Sequence, residues 1–543
     1  SVSTGSSCSA CAIRQAYTLI KYAHPLPDVS EKEINYMKAE CRFFIAYYHA
    51  MMAMTYGGVP IIREAAEEIS GASLLLKQEP FYDVVDWAAN ELLEASRQLP
   101  ASYDEANKYG RITSLICLAM RARLLTFAAS DLVNGNPDPE MQAMTNVDGV
   151  KIFSATFEAN HWKRAKDANK LLIEEAEKAG HALYKEYLSD GVTIDPFLSY
   201  QNMMMKTYKE GNTEIIFPRT KDNAGWFDDC ALPRGAGGLG SLGVTQLLVD
   251  DFFTKDGKMP ILGYNNSGNT QTAIINTETE YSETGYSTED DVRATNWHYA
   301  VAGASASGDS HVVAPKNTFN MYCNREPRFY ISVVYNEQYH WGKGKTTNFF
   351  FNGEDGQPSH DNPSAGYLIR KHVDPTFVHS TNTGVYKSRQ GILYRLAEAY
   401  LSYAESALEY SIAKGTYDSD KEDIIRYINK IRERAGIPQY GTSSLGIPAD
   451  KEEMRKLIRR ERRVELNCEG GLRWFDLRRW KEAENVLNGN FYGMNMLAEK
   501  DNRDDFYKRV SYQTRKFISY WWPIPQDEID KNPNLKQMPG WMN

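Results

Sequence analysis

Residues Glu461 to Trp480 read ERRVELNCEGGLRWFDLRRW. This is the densest run of charge and aromatic rings in the chain, and the pair Gly470-Gly471 divides it. Two readings compete. Either the run is a basic, ring-bearing surface that grips an anionic partner, or it is scaffold whose charges are paired inside the fold.

Bulk properties narrow the choice. The chain has 543 residues and a net charge of −9. An acidic balance argues against nucleic acid, whose phosphates favour a basic face. The 34 tyrosines and 10 tryptophans sit in a chain whose mean hydropathy is only −0.53. Many rings must therefore lie near the surface or in grooves as amphipathic contact groups. No run of eighteen apolar residues occurs, so no transmembrane helix is expected. The opening SVSTGSSCSAC has neither the basic nor the apolar region of a signal peptide. Seven cysteines cannot all pair within one chain. Cys8 and Cys11 form a C-x-x-C, but no second ligand pair stands at zinc spacing. No metal and no cofactor is expected.

The first half reads as helices. EKEINYMKAECRFFIAYYHAMMAMTY (31–56) carries Phe44, Tyr47, Tyr48, Met51, Met52 and Tyr56 at helical spacing, and Gly57-Gly58 stops it before VPII. Further amphipathic helices are read at 81–99, 112–132 and 161–183. A similar pair returns late, at 392–410 and 421–436. Leu393, Leu396, Tyr400, Tyr403 and Leu408 form the stripe of the first, and Ile424, Ile425, Ile428 and Ile431 that of the second. Such pairs resemble tetratricopeptide repeats with a degenerate period. Residues 219–390 differ: rich in Gly, Asn, Ser, Thr and Tyr, they read as a loop-rich lobe with a few short strands, and loops on a rigid scaffold are where binding residues gather. The expected fold is thus mainly α, a tetratricopeptide-like helical scaffold carrying an irregular lobe. Three parts of one interlocked unit are delimited: 1–218, 219–390 and 391–543.

Several motifs mislead. GAGGLG (235–240) matches a dinucleotide fingerprint but follows DDCALPR, not a strand. WGKGKTT (341–347) ends like a phosphate-binding loop, yet Tyr339 stands where its first glycine belongs. GASAS (303–307) lacks the closing glycine of a nucleophile elbow. Carboxylates cluster at Asp228-Asp229, Asp250-Asp251 and Glu289-Asp290-Asp291, as any acidic chain allows, and most such clusters are solvated.

The quoted stretch has a wider likeness. LIRRERRVELNCEGGLRWFDLRRW (457–480) resembles the C-terminal signature of the SusD/RagB family of surface nutrient-binding lipoproteins. AECRFFIAYYHAMMAMTYGGVPII (39–62), VTQLLVDDFFTKDGKMPI (244–261), NREPRFYISVVYN (324–336), AGYLIRKHVDP (365–375), ILYRLAEAYLSYAESALE (392–409) and WWPIPQDEIDKNPNLKQMPGW (521–541) resemble further elements of that family, in family order. The likeness favours scaffold for the opening stretch. On a helix, Glu461 and Glu465 share a face with basic neighbours three and four residues away, Arg462 among them. Gly470-Gly471 ends the helix, Trp474 and Trp480 fold back as plugs, and Asp476 can accept paired bonds from Arg473 or Arg479.

The resemblance implies a non-enzymatic protein on the outer face of the outer membrane. It would bind oligosaccharide or polysaccharide and pass it to a SusC-like TonB-dependent barrel. It also implies a lipid anchor, for which Cys8 has no lipobox before it. A sugar ring offers a face of C–H groups and a rim of hydroxyls, which flat aromatic rings and amides match. Within the lobe the candidates are Asn296, Trp297 and Tyr299 with His298 among them, then Tyr339 and Trp341 flanking His340, then Trp226 beside Phe227. Each ring could instead plug the lobe's small core. A peptide- or glycopeptide-binding member of the same family, and more distantly a helical glycoside-cleaving enzyme, remain as alternatives.

Overall fold

The computed structural model describes residues 9–64, 75–103, 105–222, 224–293, 312–340, 345–374 and 389–541. Six helices come first: α1 (Ser9–Tyr22), α2 (Glu31–Tyr56), α3 (Phe81–Gln98), α4 (Ser114–Ala129), α5 (Pro139–Ala143) and α6 (Ala159–Lys178). Then come α7 (Pro196–Met205), α8 (Gly225–Ala231), α9 (Gln246–Asp251) and α10 (Pro327–Ser332). The last that matter here are α11 (Leu396–Lys414), α12 (Tyr417–Arg434), α13 (Lys451–Glu465) and α14 (Leu472–Arg479).

Helix boundaries follow local chemistry. Ser30 caps α2 by accepting from the Glu33 amide, and Glu31 and Glu33 lie in its first turn, where the helix dipole favours negative charge. Thr113 and Asp450 cap α4 and α13 in the same way. Gly57 ends α2 with φ 73° and ψ −127°, a conformation closed to side-chain-bearing residues. The long helices stack in chain order: α1 on α2, α2 on α3, α3 on α4, α4 on α6. The stack then continues from α6 to α11 and from α11 to α12 and α13, so the late helices close onto the early ones. In the centre of the stack α4 is buried nearly all round, which suits its Ala- and Leu-rich sequence.

Two readings of helical stripes change. On α2 the core takes Ala39, Phe43, Ala46, Ala50 and Ala53, whose mostly small side chains let α3 approach closely, while Tyr47, Tyr48, Met51 and Met52 stay half-buried and Phe44 exposed. The predicted helix at 392–410 begins only at Leu396. Residues Arg389–Arg395 form a strand, β12, and Leu393 lies on its exposed side. The stripe at Ile424, Ile425, Ile428 and Ile431 is buried as read.

The strands are short and mostly antiparallel. In chain order they are β1 (Glu186–Tyr187), β2 (Ile194–Asp195), β3 (Ile215–Asp222), β4 (Ile261–Ser267), β5 (Thr270–Ile275), β6 (Val292–Arg293), β7 (Val312–Ala314), β8 (Val333–Val334), β9 (Tyr339–His340), β10 (Lys345–Thr346), β11 (Leu368–Ile369), β12, β13 (Gly489–Met494) and β14 (Arg509–Arg515). One four-stranded sheet runs β13-β14-β5-β4, joining the lobe to the C-terminal tail. Strands β12 and β3 pair where the chain leaves and re-enters the helical stack.

The opening stretch is scaffold, but its charges are paired across the fold rather than along the helix. Glu461 meets Arg328 of α10 at 2.7 Å and Arg432 of α12 at 2.9 Å. Glu465 takes Arg328 at 3.0 Å and Arg395 of β12 at 2.7 Å, and also pairs with Arg434 of α12. All six of these side chains are essentially inaccessible. Arg462 reaches Asp476 at 2.8 Å, and Arg479 bridges Asp476 at 2.9 Å and Glu405 at 2.5 Å. Asp476 thus accepts its hydrogen bonds from Arg462 and Arg479, and Arg473 acts on it only as a nearby charge. Trp480 is a buried plug whose indole N–H donates to Glu405 at 2.6 Å, while Trp474 is half-buried. Helix α13 stops at Glu465, before the glycine pair, and the turn that follows holds Cys468 at φ 58°.

Candidate ligand-binding site

The lobe's aromatic residues divide sharply. Phe319, Tyr322, Phe329 and Tyr335 are buried and pack on one another and on the buried Tyr507 of the C-terminal part, with Phe319 and Tyr507 parallel at 4.0 Å. These rings form a core that the lobe shares with the C-terminal part. Trp226 is different: 72% of its surface is exposed.

Trp226 stands on the short helix α8, and α8 is held from two sides. Asp228 accepts two hydrogen bonds from Arg389 at the start of β12, both at 2.8 Å. Phe227 sits edge-on to His372 at 5.9 Å and under the Arg389 guanidinium. So Phe227 anchors the helix while Trp226 faces out, as neighbours on a helix must. Past α8, Arg234 donates to the carbonyls of Gly353, Glu354 and Gly356, at 3.1, 2.6 and 3.0 Å. Asp355 accepts from the Gly235 amide at 2.7 Å and from the Asn348 amide at 2.8 Å. GAGGLG therefore docks on this loop, with no strand leading into it.

The same loop supports the second candidate. Strand β9, carrying Tyr339, pairs with β10, with Tyr339 opposite Thr346 and His340 opposite Lys345. Lys345 pairs with Glu354 at 2.8 Å. Tyr339 is half-buried and His340 buried. Trp341 lies outside the described residues, as do Asn296, Trp297, His298, Tyr299 and GASAS. The described strands beside these segments are close together: β6 and β7, which bracket 294–311, pair with each other, and β7 lies beside β9.

The carboxylate clusters are structural where described. Asp228 is tied to Arg389, and Asp250 takes Arg509 in a two-pronged pair at 2.6 and 2.8 Å. Asp291 accepts from the Tyr330 hydroxyl at 3.0 Å and the Asn324 amide at 2.8 Å. Burial pushes the Asp228 carboxyl above its ordinary value despite Arg389. Among the described residues no helix is long and apolar enough to cross a membrane. Arg389 and Arg234 escape a sequence reading, because neither stands in a motif and their partners lie far away along the chain.

With that geometry in view, comparison with known proteins is decisive for the family. A model described as the SusD family matches residues 199–541. The chain belongs to the SusD family. A SusD-like protein P2 of Formosa agariphila is 30% identical over 156 residues, a match spanning 28% of this chain and 26% of that protein. The solved structure of BT4246 superposes with TM-score 0.76 at 26% identity, covering 98% of this chain and 89% of that one. A SusD-like carbohydrate binding protein (BF0978) from Bacteroides fragilis shares the fold at TM-score 0.64 and 20% identity, covering 97% and 84% of the two chains.

Proposed function

We propose that the protein binds oligosaccharide at the cell surface and delivers it to a SusC-like TonB-dependent barrel of the outer membrane, to which a lipid anchor would tether it. Membership of the SusD family carries this reading, and the exposed Trp226 on a braced helix gives it a physical basis. A flat ring held rigidly offers apolar area to a sugar face at little entropic cost. Trp226 and Tyr339 form the described part of the proposed ligand surface, and Asn296, Trp297, Tyr299 and Trp341 complete it. The protein acts as a binder, without breaking bonds.

The test is calorimetry against a panel of neutral and acidic oligosaccharides, with Trp226→Ala, Trp297→Ala and Trp341→Ala alongside the parent. Binding to at least one saccharide, weakened by these variants in a folded protein, supports the reading. Binding only to a peptide pool supports the peptide-binding alternative. New reducing ends on incubation with polysaccharide overturn the non-enzymatic part.

A further inference from the structure

A second cleft lies in the helical scaffold, outside the lobe. It is an open groove with a cavity volume of about 210 Å³, enough to seat part of a small ligand and leave the rest in solvent. Its floor is apolar and buried: Ile116, Ile215, Ile216 and Pro218. Its walls are tyrosines. Tyr109 and Tyr208 lie nearly parallel, with centroids 6.1 Å apart and planes at 25°, and Tyr208 is 41% exposed.

Each wall is braced from outside. Tyr208 occupies a single 3₁₀ turn, Tyr208–Glu210, locked by a reciprocal cap. There the Glu210 carboxylate accepts from the Thr207 amide at 2.8 Å, and Gly211 closes the turn at φ 88°. Tyr109 donates through its hydroxyl to Gln390 at 2.8 Å, and Gln390 donates to the Lys206 carbonyl at 2.8 Å. The 99–113 loop is pinned to α2 through Arg111, which pairs with Glu40 at 2.7 Å and with Glu33. His181, near Tyr208, gives its Nδ1 to the Thr213 carbonyl at 2.6 Å. Burial lowers its basicity, so the ring stays neutral with Nε2 as an acceptor. The cleft is thus pre-organised, which limits the ordering cost of binding.

Charge at the rim is nearly balanced. Lys108 and Arg111 are matched by Glu33, Glu40 and Glu105. An apolar floor, two parallel rings, a neutral imidazole acceptor and paired rim charges suit a neutral polyhydroxylated ring better than an ionic ligand. The place also fits the lobe. Consecutive residues of β12 serve both features, Arg389 holding α8 beneath Trp226 and Gln390 holding Tyr109.

We infer that this cleft is a second saccharide-binding site, with Tyr208 and Tyr109 as the platform for a sugar ring. The inference rests on the saccharide-binding reading above. The experiment is calorimetric titration of the whole chain, its Tyr208→Ala and Tyr208→Phe variants, and Trp226→Ala, with cellohexaose, xylohexaose, laminarihexaose and mannohexaose. Tyr208 is exposed enough that its removal should leave thermal unfolding unchanged. The expected result is two binding events in the parent. Tyr208→Ala then weakens one of them about tenfold or more, equivalent to about 1.4 kcal/mol. Tyr208→Phe retains it, and Trp226→Ala affects the other. A Tyr208→Ala variant that titrates like the parent overturns the cleft and leaves the lobe reading standing. A parent that binds none of the four, or only peptides from a control pool, overturns the cleft assignment; extending the panel to acidic saccharides then decides the lobe separately.

Discussion

Arg395 holds Glu469 through two parallel hydrogen bonds, Nε to Oε2 at 2.9 Å and Nη2 to Oε1 at 2.8 Å. The same guanidinium also reaches Glu214 and Glu465, both at 2.7 Å. It ties the re-entry strand β12 to the turn after α13 and to β3's approach, at a point where water is excluded. Ionic groups so deeply buried bring little net stability as a set, but removing one member strands the others. Arg395→Met is therefore expected to cost about 3–5 kcal/mol. The midpoint of urea unfolding checks it, and a loss below about 1 kcal/mol would show the carboxylates finding other partners.

The same cluster predicts acid sensitivity. Burial drives the Glu469 carboxyl upward, but Arg395 and Lys371 beside it prevail and hold it at about 2. In the unfolded chain a glutamate titrates near about 4.3. The folded carboxyl thus stays ionised while the unfolded one takes up a proton. The stability it contributes is complete above about 4.3 and drains away as pH falls toward about 2. Glu465 is held below the ordinary range as well, by Arg434, Arg395 and Arg328 acting against burial. Unfolding midpoints measured from pH 6 down to pH 3 should fall with a slope of more than one proton. Glu469→Gln should reduce that slope while lowering stability at pH 6.

Gly57 offers a backbone test. A side chain there would meet Phe153 at 2.5 Å and Met538 at 3.0 Å, on a residue at φ 73°. Its amide closes α2 onto the Ala53 carbonyl at 2.9 Å. Gly57→Ala is expected to cost at least about 1–3 kcal/mol from the backbone conformation alone. A thermal unfolding temperature within a degree of the parent's would contradict this.

Helix existence was legible because capping residues and apolar periodicity speak locally. The family signature was legible because charged and aromatic residue types recur at fixed spacing. What the quoted stretch could not reveal was its partners. Glu461 and Glu465 have arginines at suitable positions on their own helix, yet Arg328, Arg395, Arg432 and Arg434 claim them from other elements. Buried carboxylates need donors from every side, and one helix supplies only one side. Strand β12 escapes a sequence reading because its Leu393 continues the stripe of the helix that begins at Leu396, while the pairing with β3 that makes it a strand lies far away along the chain. His49 was equally hidden. Its Nδ1 faces the Ile45 carbonyl at 2.7 Å and its Nε2 accepts from the Ile62 amide at 3.0 Å, fastening the VPII segment to α2. Of the proposed ligand surface, Trp226 was found from its residue type alone, and its exposure is a property only of the fold.

Arg234 gives a way to disturb that surface without touching a ring. Its guanidinium spans the carbonyls of Gly353, Glu354 and Gly356, and these groups lie in the loop that also supports β10 through Lys345 and Glu354. Replacing it by alanine leaves those carbonyls to water at the lobe's edge, away from the helical stack. Global stability should change by less than about 2 kcal/mol, since each hydrogen bond contributes about 1 kcal/mol net and solvent can replace part of it. Local order should suffer more. Amide exchange is expected to quicken at Gly235 and Asn348, whose N–H groups both donate to Asp355. Because α8 and the β9–β10 hairpin share this loop, saccharide affinity at the lobe should drop in Arg234→Ala although Trp226 and Tyr339 are intact. Faster exchange with undiminished affinity would detach the loop from binding. Unchanged exchange would mean that Asp355 holds the two segments together without Arg234.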